Sequence, residues 1–128
     1  MIQAKELRTG SFIQTPRGIK CIDEIGFKVT KENQKDYYCT FRDLNEGYFL
    51  SHCEPVELTE EILLKCGFYY DTDYLTFCIP TCTIQLDDYG SEGYMCIIFG
   101  EDLYLINNLH QLQNLYWCLC GKELNIEL

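Results

Sequence analysis

Only one run in this chain, Leu109 to Leu119, keeps a helical period for about three turns; every other patterned segment is short and closed by a turn residue. That restricts the fold to sheets with one substantial helix. Leu109, Leu112, Leu115, Tyr116 and Leu119 fall on one helical face. Asn108 with Gln111 three residues later forms a capping-box pattern, and Gly121 ends the helix. A second, two-turn helix is predicted after Thr59, with Glu60 and Glu61 in its first turn, Lys65 in its last and Gly67 as its stop.

The strands divide around that short helix. Before it, Ser11–Gln14 turns through Thr15-Pro16-Arg17-Gly18, whose Pro and Gly positions fit a type I turn. Ile19–Ile25 returns, Gly26 interrupts, and Phe27–Thr30 resumes. Tyr37–Phe41, Tyr48–Leu50 and a short edge strand over Pro55–Leu58 complete residues 1–58. So many short strands predict a small, strongly bent antiparallel sheet or an SH3-like barrel. After the helix, strands at Tyr74–Ile79, Thr83–Leu86, Tyr94–Phe99 and Leu103–Ile106 predict an antiparallel meander. Leu124, Ile126 and Leu128 alternate with polar residues as a final strand. The fold class is α+β. Without a linker or repeat, the sequence reads as a single compact domain, 1–128, with a barrel-like part, 1–58, and an α+β part, 59–128.

Charge narrows the function classes. The chain carries a formal charge of −10. Residues 1–58 hold eight basic and nine acidic residues, whereas 59–128 hold two basic residues, Lys65 and Lys122, against eleven acidic ones. A nucleic-acid binder needs cations to replace phosphate counterions, so nucleic acid is not the expected partner. Anionic membrane surfaces are disfavoured for the same reason, and no apolar run approaches a membrane span. The charged start, Met1 to Arg8, lacks the apolar core of a secretory signal, which predicts a cytoplasmic protein.

Nine cysteines, at 21, 39, 53, 66, 78, 82, 96, 118 and 120, form no CxxC pair. Zinc needs four converging ligands, usually in close pairs, so no metal is expected. An odd count inside apolar runs predicts reduced, buried thiols. Neither GxGxxG nor GxxxxGK[ST] is present, and no nucleophile motif accompanies His52 or His110. A calcium loop starting at Asp71 would place Cys82 where the bidentate Glu belongs. The chain therefore reads as a non-enzyme without cofactor. The polar loop between the strands ending at Leu86 and starting at Tyr94 is the candidate contact surface: Asp87, Asp88 and Glu92 to steer a basic protein partner, Tyr89 and Tyr94 to supply apolar contact.

Three segments carry a resemblance: Glu6-Leu7-Arg8-Thr9-Gly10-Ser11-Phe12-Ile13, Leu58-Thr59-Glu60-Glu61-Ile62-Leu63-Leu64-Lys65-Cys66-Gly67-Phe68, and Leu109 to Leu124. In this order they resemble small uncharacterised proteins of phages and mobile elements of gut Bacteroidales. The chain departs from that pattern at Trp117, Cys118 and Cys120, and at Thr9-Gly10-Ser11. The resemblance implies a phage or mobile-element setting within a bacterial host and carries over no catalytic residue. Three functions follow as expectations. The first is a non-enzymatic accessory protein that binds a protein partner and inhibits a host defence system. The second is a sponge for an anionic small molecule such as a signalling nucleotide, marked by convergence of Arg17, Lys20, Lys28 and Arg42 on one concave site. The third is an enzyme of unrecognised type.

Overall fold

The computed structural model describes residues 2–128 and is α+β, with two antiparallel sheets and one main helix. The chain divides into two compact units, one ending at Val56 and the other spanning Glu57–Leu128. At that boundary Glu57 joins the second unit, which then contains twelve acidic and two basic residues, the whole net charge of the chain.

The first unit is a four-stranded sheet in the order β1 (Phe12–Thr15), β2 (Gly18–Val29), β3 (Lys35–Phe41) and β4 (Tyr48–Phe49). The β1–β2 turn forms as expected: the Thr15 hydroxyl accepts from the Arg17 N–H at 3.1 Å and donates to the Gly18 carbonyl at 2.8 Å. Gly26 does not interrupt β2. It pairs with Tyr38, and the irregularity lies between Ile22 and Glu24, where β2 has turned from β1 to β3 as its partner. A bulge accomplishes this change without ending the strand. The sheet is open and does not close into an SH3-like barrel. Its nearest approach is an isolated bridge in which Gln14 and Glu54 exchange backbone hydrogen bonds of 2.8 and 2.9 Å. Pro55, which lacks an N–H, follows directly, and no edge strand forms over 55–58. Ile2, Leu7, Ile13, Ile22, Cys39, Phe41, Leu50 and Cys53 make the core of this unit.

In the second unit, α1 (Glu60–Lys65) starts where the Thr59 hydroxyl accepts from the Ile62 N–H at 3.2 Å. It ends in a Schellman arrangement. Gly67, at φ 90°, donates to Leu64, and Phe68 donates to Leu63 at 3.0 Å. Five strands follow in simple sequence: β5 (Tyr69–Asp71), β6 (Thr76–Cys78), β7 (Gln85–Asp88), β8 (Tyr94–Ile98) and β9 (Glu101–Ile106). This is the expected meander with one more strand at its start. β6 is shorter than Tyr74–Ile79 because Asp71 holds the preceding turn. Its carboxylate accepts from the Asp73 and Tyr74 N–H groups at 2.9 and 3.2 Å, and Leu75 sits at φ 57°.

α2 (Leu109–Cys120) has the full capping box between Asn108 and Gln111 and ends at Gly121, φ 68°. Leu109, Leu112, Leu115 and Tyr116 are buried as the period requires, and the polar His110 and Gln113 are buried with them. Leu119 departs from the expected stripe, because the last turn of α2 is uncovered and leaves it 43% exposed. Residues 122–128 form no strand. Leu124 is buried, while Leu128 is exposed, and the segment is tied down where the Glu127 N–H donates to the Lys65 carbonyl at 2.9 Å. Among the described residues no helix is long and apolar enough to cross a membrane.

Candidate functional site

The β7–β8 connection is built by its own acids and glycines. The Asp88 carboxylate accepts from the Gly90 N–H at 2.8 Å, and a short 3-10 turn over Gly90–Glu92 brings the Tyr89 N–H to the Gly93 carbonyl at 2.9 Å. Gly93 is required here. It sits at φ 105°, and a Cβ would lie 2.5 Å from the Ile106 carbonyl oxygen. Asp88, Tyr89 and Glu92 are exposed and Asp87 is half-buried. Tyr94 is not part of that outer surface: it is 7% exposed, and its ring meets Phe77 edge-on with centroids 6.0 Å apart.

Tyr94 nevertheless reaches a cleft. A recess of about 340 Å³ is lined by Glu57, Glu60, Asp88, Gly93, Tyr94 and Asn107, among others, with three carboxylates and no cation. Burial first, then the charges of Asp88 and Glu60, raise the Tyr94 phenol above its usual range, so it stays a neutral hydrogen-bond donor. Among the described residues, no three Asp, Glu, Cys or His side chains converge closely enough to hold a metal ion. Carboxylates spread around a recess suit separate contacts to lysine or arginine side chains. Glu57 and Glu60 were legible in the sequence only as residues flanking a helix cap. The structure brings them to Asp88 across about thirty residues of chain, by the bridge between Glu57 and Asn108 and the hydrogen bond from the Leu58 N–H to Asn107.

On the same unit, a groove of about 490 Å³ gathers both of its basic residues, Lys65 and Lys122, with Thr81, Tyr116, Glu123 and Glu127. Lys65 is paired to Glu61 at 3.2 Å. Burial, then Cys82, raises the Cys120 thiol, with Tyr116 and Lys122 acting in the opposite direction.

Two basic residues of the first unit are engaged separately. Arg17 pairs with Glu46 at 3.3 Å, and the Lys28 ammonium lies over the Tyr38 ring, 3.9 Å from its centroid. Of Arg17, Lys20, Lys28 and Arg42, only Lys28 lines the cleft formed by β2 and β3, where Glu24 accompanies it. None of the nine cysteines is joined in a disulfide. Burial pushes Cys39, Cys53 and Cys96 up to about 11 and Cys66 to about 12, away from the thiolate a nucleophile requires. No family model matches the chain, and no curated protein or solved structure does either.

Proposed function

We propose that the protein is a non-enzymatic accessory factor that binds a basic protein partner through its second unit. The observation that carries this reading is the carboxylate-lined recess of Glu57, Glu60 and Asp88, with Tyr94 among its lining residues and exposed Tyr89 next to Asp88 in the chain. Such a surface steers a cationic partner and then offers hydrogen-bond acceptors to its lysines and arginines. The resemblance of the sequence to phage and mobile-element proteins supports a setting in the cytoplasm of a bacterial host, and inhibition of a defence system is the role we propose there. The test is capture of the partner from host lysate, followed by association kinetics on the purified pair. Neutralising Asp87, Asp88 and Glu92 together slows association more than it speeds dissociation, and the difference shrinks with salt, since screening acts over about 10 Å at 0.1 M. Unchanged association rates would refute the reading.

A second reading is favoured by one observation, the convergence of Lys65 and Lys122 on a single groove. An anionic small molecule held there makes the function sensitive to Lys65→Ala with Lys122→Ala and indifferent to the acidic set. Running both sets in one functional assay decides between the two.

A further inference from the structure

β9 is the last strand of its sheet and pairs only with β8, so its outer edge offers backbone N–H and C=O groups that no strand of the sheet takes up. Natural edges of this kind are commonly short, covered or studded with lysine. This one runs six residues, has no lysine, and leaves its first five residues exposed, among them Leu103, Tyr104 and Leu105; its one irregularity is at Leu103, which the pairing with β8 skips between Tyr104 and Asp102. Its charges are confined to one end, Glu101 and Asp102. Next to that end is the two-residue β8–β9 turn, Phe99-Gly100, with φ of 53° and 79°. Such turns favour glycine or asparagine at the first position, yet Phe99 occupies the left-handed conformation with 86% of its surface exposed. The hairpin requires that conformation, but the ring of Phe99 is left facing solvent.

We infer that β9 is a docking edge for an extended segment of a basic partner protein, which adds to the sheet as a sixth strand with Phe99 packing on its end. The charge distribution selects the occupant. Continuing the antiparallel meander, the incoming strand meets Leu105 to Leu103 first and Asp102 and Glu101 last, so it carries apolar residues followed by lysine or arginine. A second copy of this chain is a poorer occupant, since it brings the same Glu101 and Asp102 and a second acidic unit to the edge. The inference rests on the reading that the second unit binds a protein, and it adds a contact at the opposite end of β8 from the acidic turn. Asp88, Tyr94 and Ile106 lie in one row of the sheet, whereas Glu101 lies beside Ile98.

The test uses the full chain and synthetic peptides of alternating valine and threonine ending in two lysines. Titration followed by amide NMR gives shifts and slowed exchange at residues 101–106. Replacing the two lysines by glutamates weakens binding about tenfold, because two cross-strand pairs turn from attractive to repulsive. N-methylating one alternate set of peptide amides abolishes binding, and methylating the other set leaves it, since only one edge of the added strand faces β9. Leu103→Lys and Leu105→Lys, both at exposed positions, retain the circular dichroism of the parent and weaken the peptide. Equal binding of the lysine and glutamate peptides, equal effects of the two methylated sets, or shifts outside β9 would overturn the inference. So would a dimer in sedimentation equilibrium that Tyr104→Lys dissociates, which would assign the edge to a second copy. If the peptide fails while the Asp87, Asp88 and Glu92 variant still slows association with a captured partner, the β9 inference falls and the functional reading stands. The converse result refutes the acidic-surface reading, and the second unit then binds protein through β9 alone.

Discussion

The hydroxyls of Thr81 and Tyr116 lie 2.8 Å apart, joining the segment between β6 and β7 to the buried face of α2. Tyr116 is buried apart from the groove that it lines, and its hydroxyl takes this partner there. Tyr116→Phe is expected to cost about 1 kcal/mol, and Thr81→Val a similar amount. The double variant should cost less than the two combined, by roughly 0.5–1.5 kcal/mol, in a urea double-mutant cycle. Strict additivity would mean that the two hydroxyls do not share a bond in solution.

Leu115 and Leu119 are four residues apart on α2 but have different fates. Leu115→Ala removes a buried side chain and should cost about 2–5 kcal/mol. Leu119→Ala, at a position 43% exposed, should stay within about 0.5 kcal/mol. Chemical denaturation of both variants checks the pair, and similar costs would contradict the uncovered last turn.

Gly93→Ala forces a Cβ against the Ile106 carbonyl at a φ that disfavours alanine, and a loss of more than about 1 kcal/mol is expected. Gly26→Ala meets nothing within 4 Å and requires no positive φ, so it should be neutral or slightly stabilising. Thermal melts of the two variants should therefore move apart.

The buried thiols give a pH dependence with a definite sign. Cys39, Cys53, Cys66 and Cys96 are pushed up by burial to about 11, 11, 12 and 11, whereas in the unfolded chain they ionise near the ordinary value of 9.0. Raised folded values mean that the unfolded state releases protons first as pH climbs. Their contribution is intact below about pH 9 and is lost through about pH 11 to 12. The denaturation midpoint should fall steadily over that window. At pH 8, a disulfide reagent should label Cys118 first and leave these four untouched until denaturant is added.

What could be read from the sequence followed the range of the physics involved. The caps at Thr59 and Asn108 and the stops at Gly67 and Gly121 are local, decided by a few neighbouring residues, and they stand where expected. Strand limits depend on partners. Gly26 reads as a break until Tyr38 is seen opposite, and Leu124 to Leu128 alternate like a strand but have no ladder to join. The acidic loop was legible as a loop, and Asp87, Asp88, Tyr89 and Glu92 lie at its surface. The burial of Tyr94, and its company of Glu57 and Glu60, depend on contacts that spacing does not encode. The β9 edge escaped for the same reason, since Leu103 and Leu105 look like core residues until the strand order leaves them last.

Both sheets pair each strand only with its immediate predecessor and successor in the chain. Each ladder can therefore grow outward from a hairpin, and every closure spans a short loop with a small entropic cost. Low sequence separation between partners places such meanders toward the fast end for β-rich domains. The first sheet also needs nothing beyond Phe49 to complete its strand order. On a ribosome adding about 5–20 residues per second, that ladder can assemble while later codons are still being read. The emerging chain thus spends little time with unpaired strands open to aggregation.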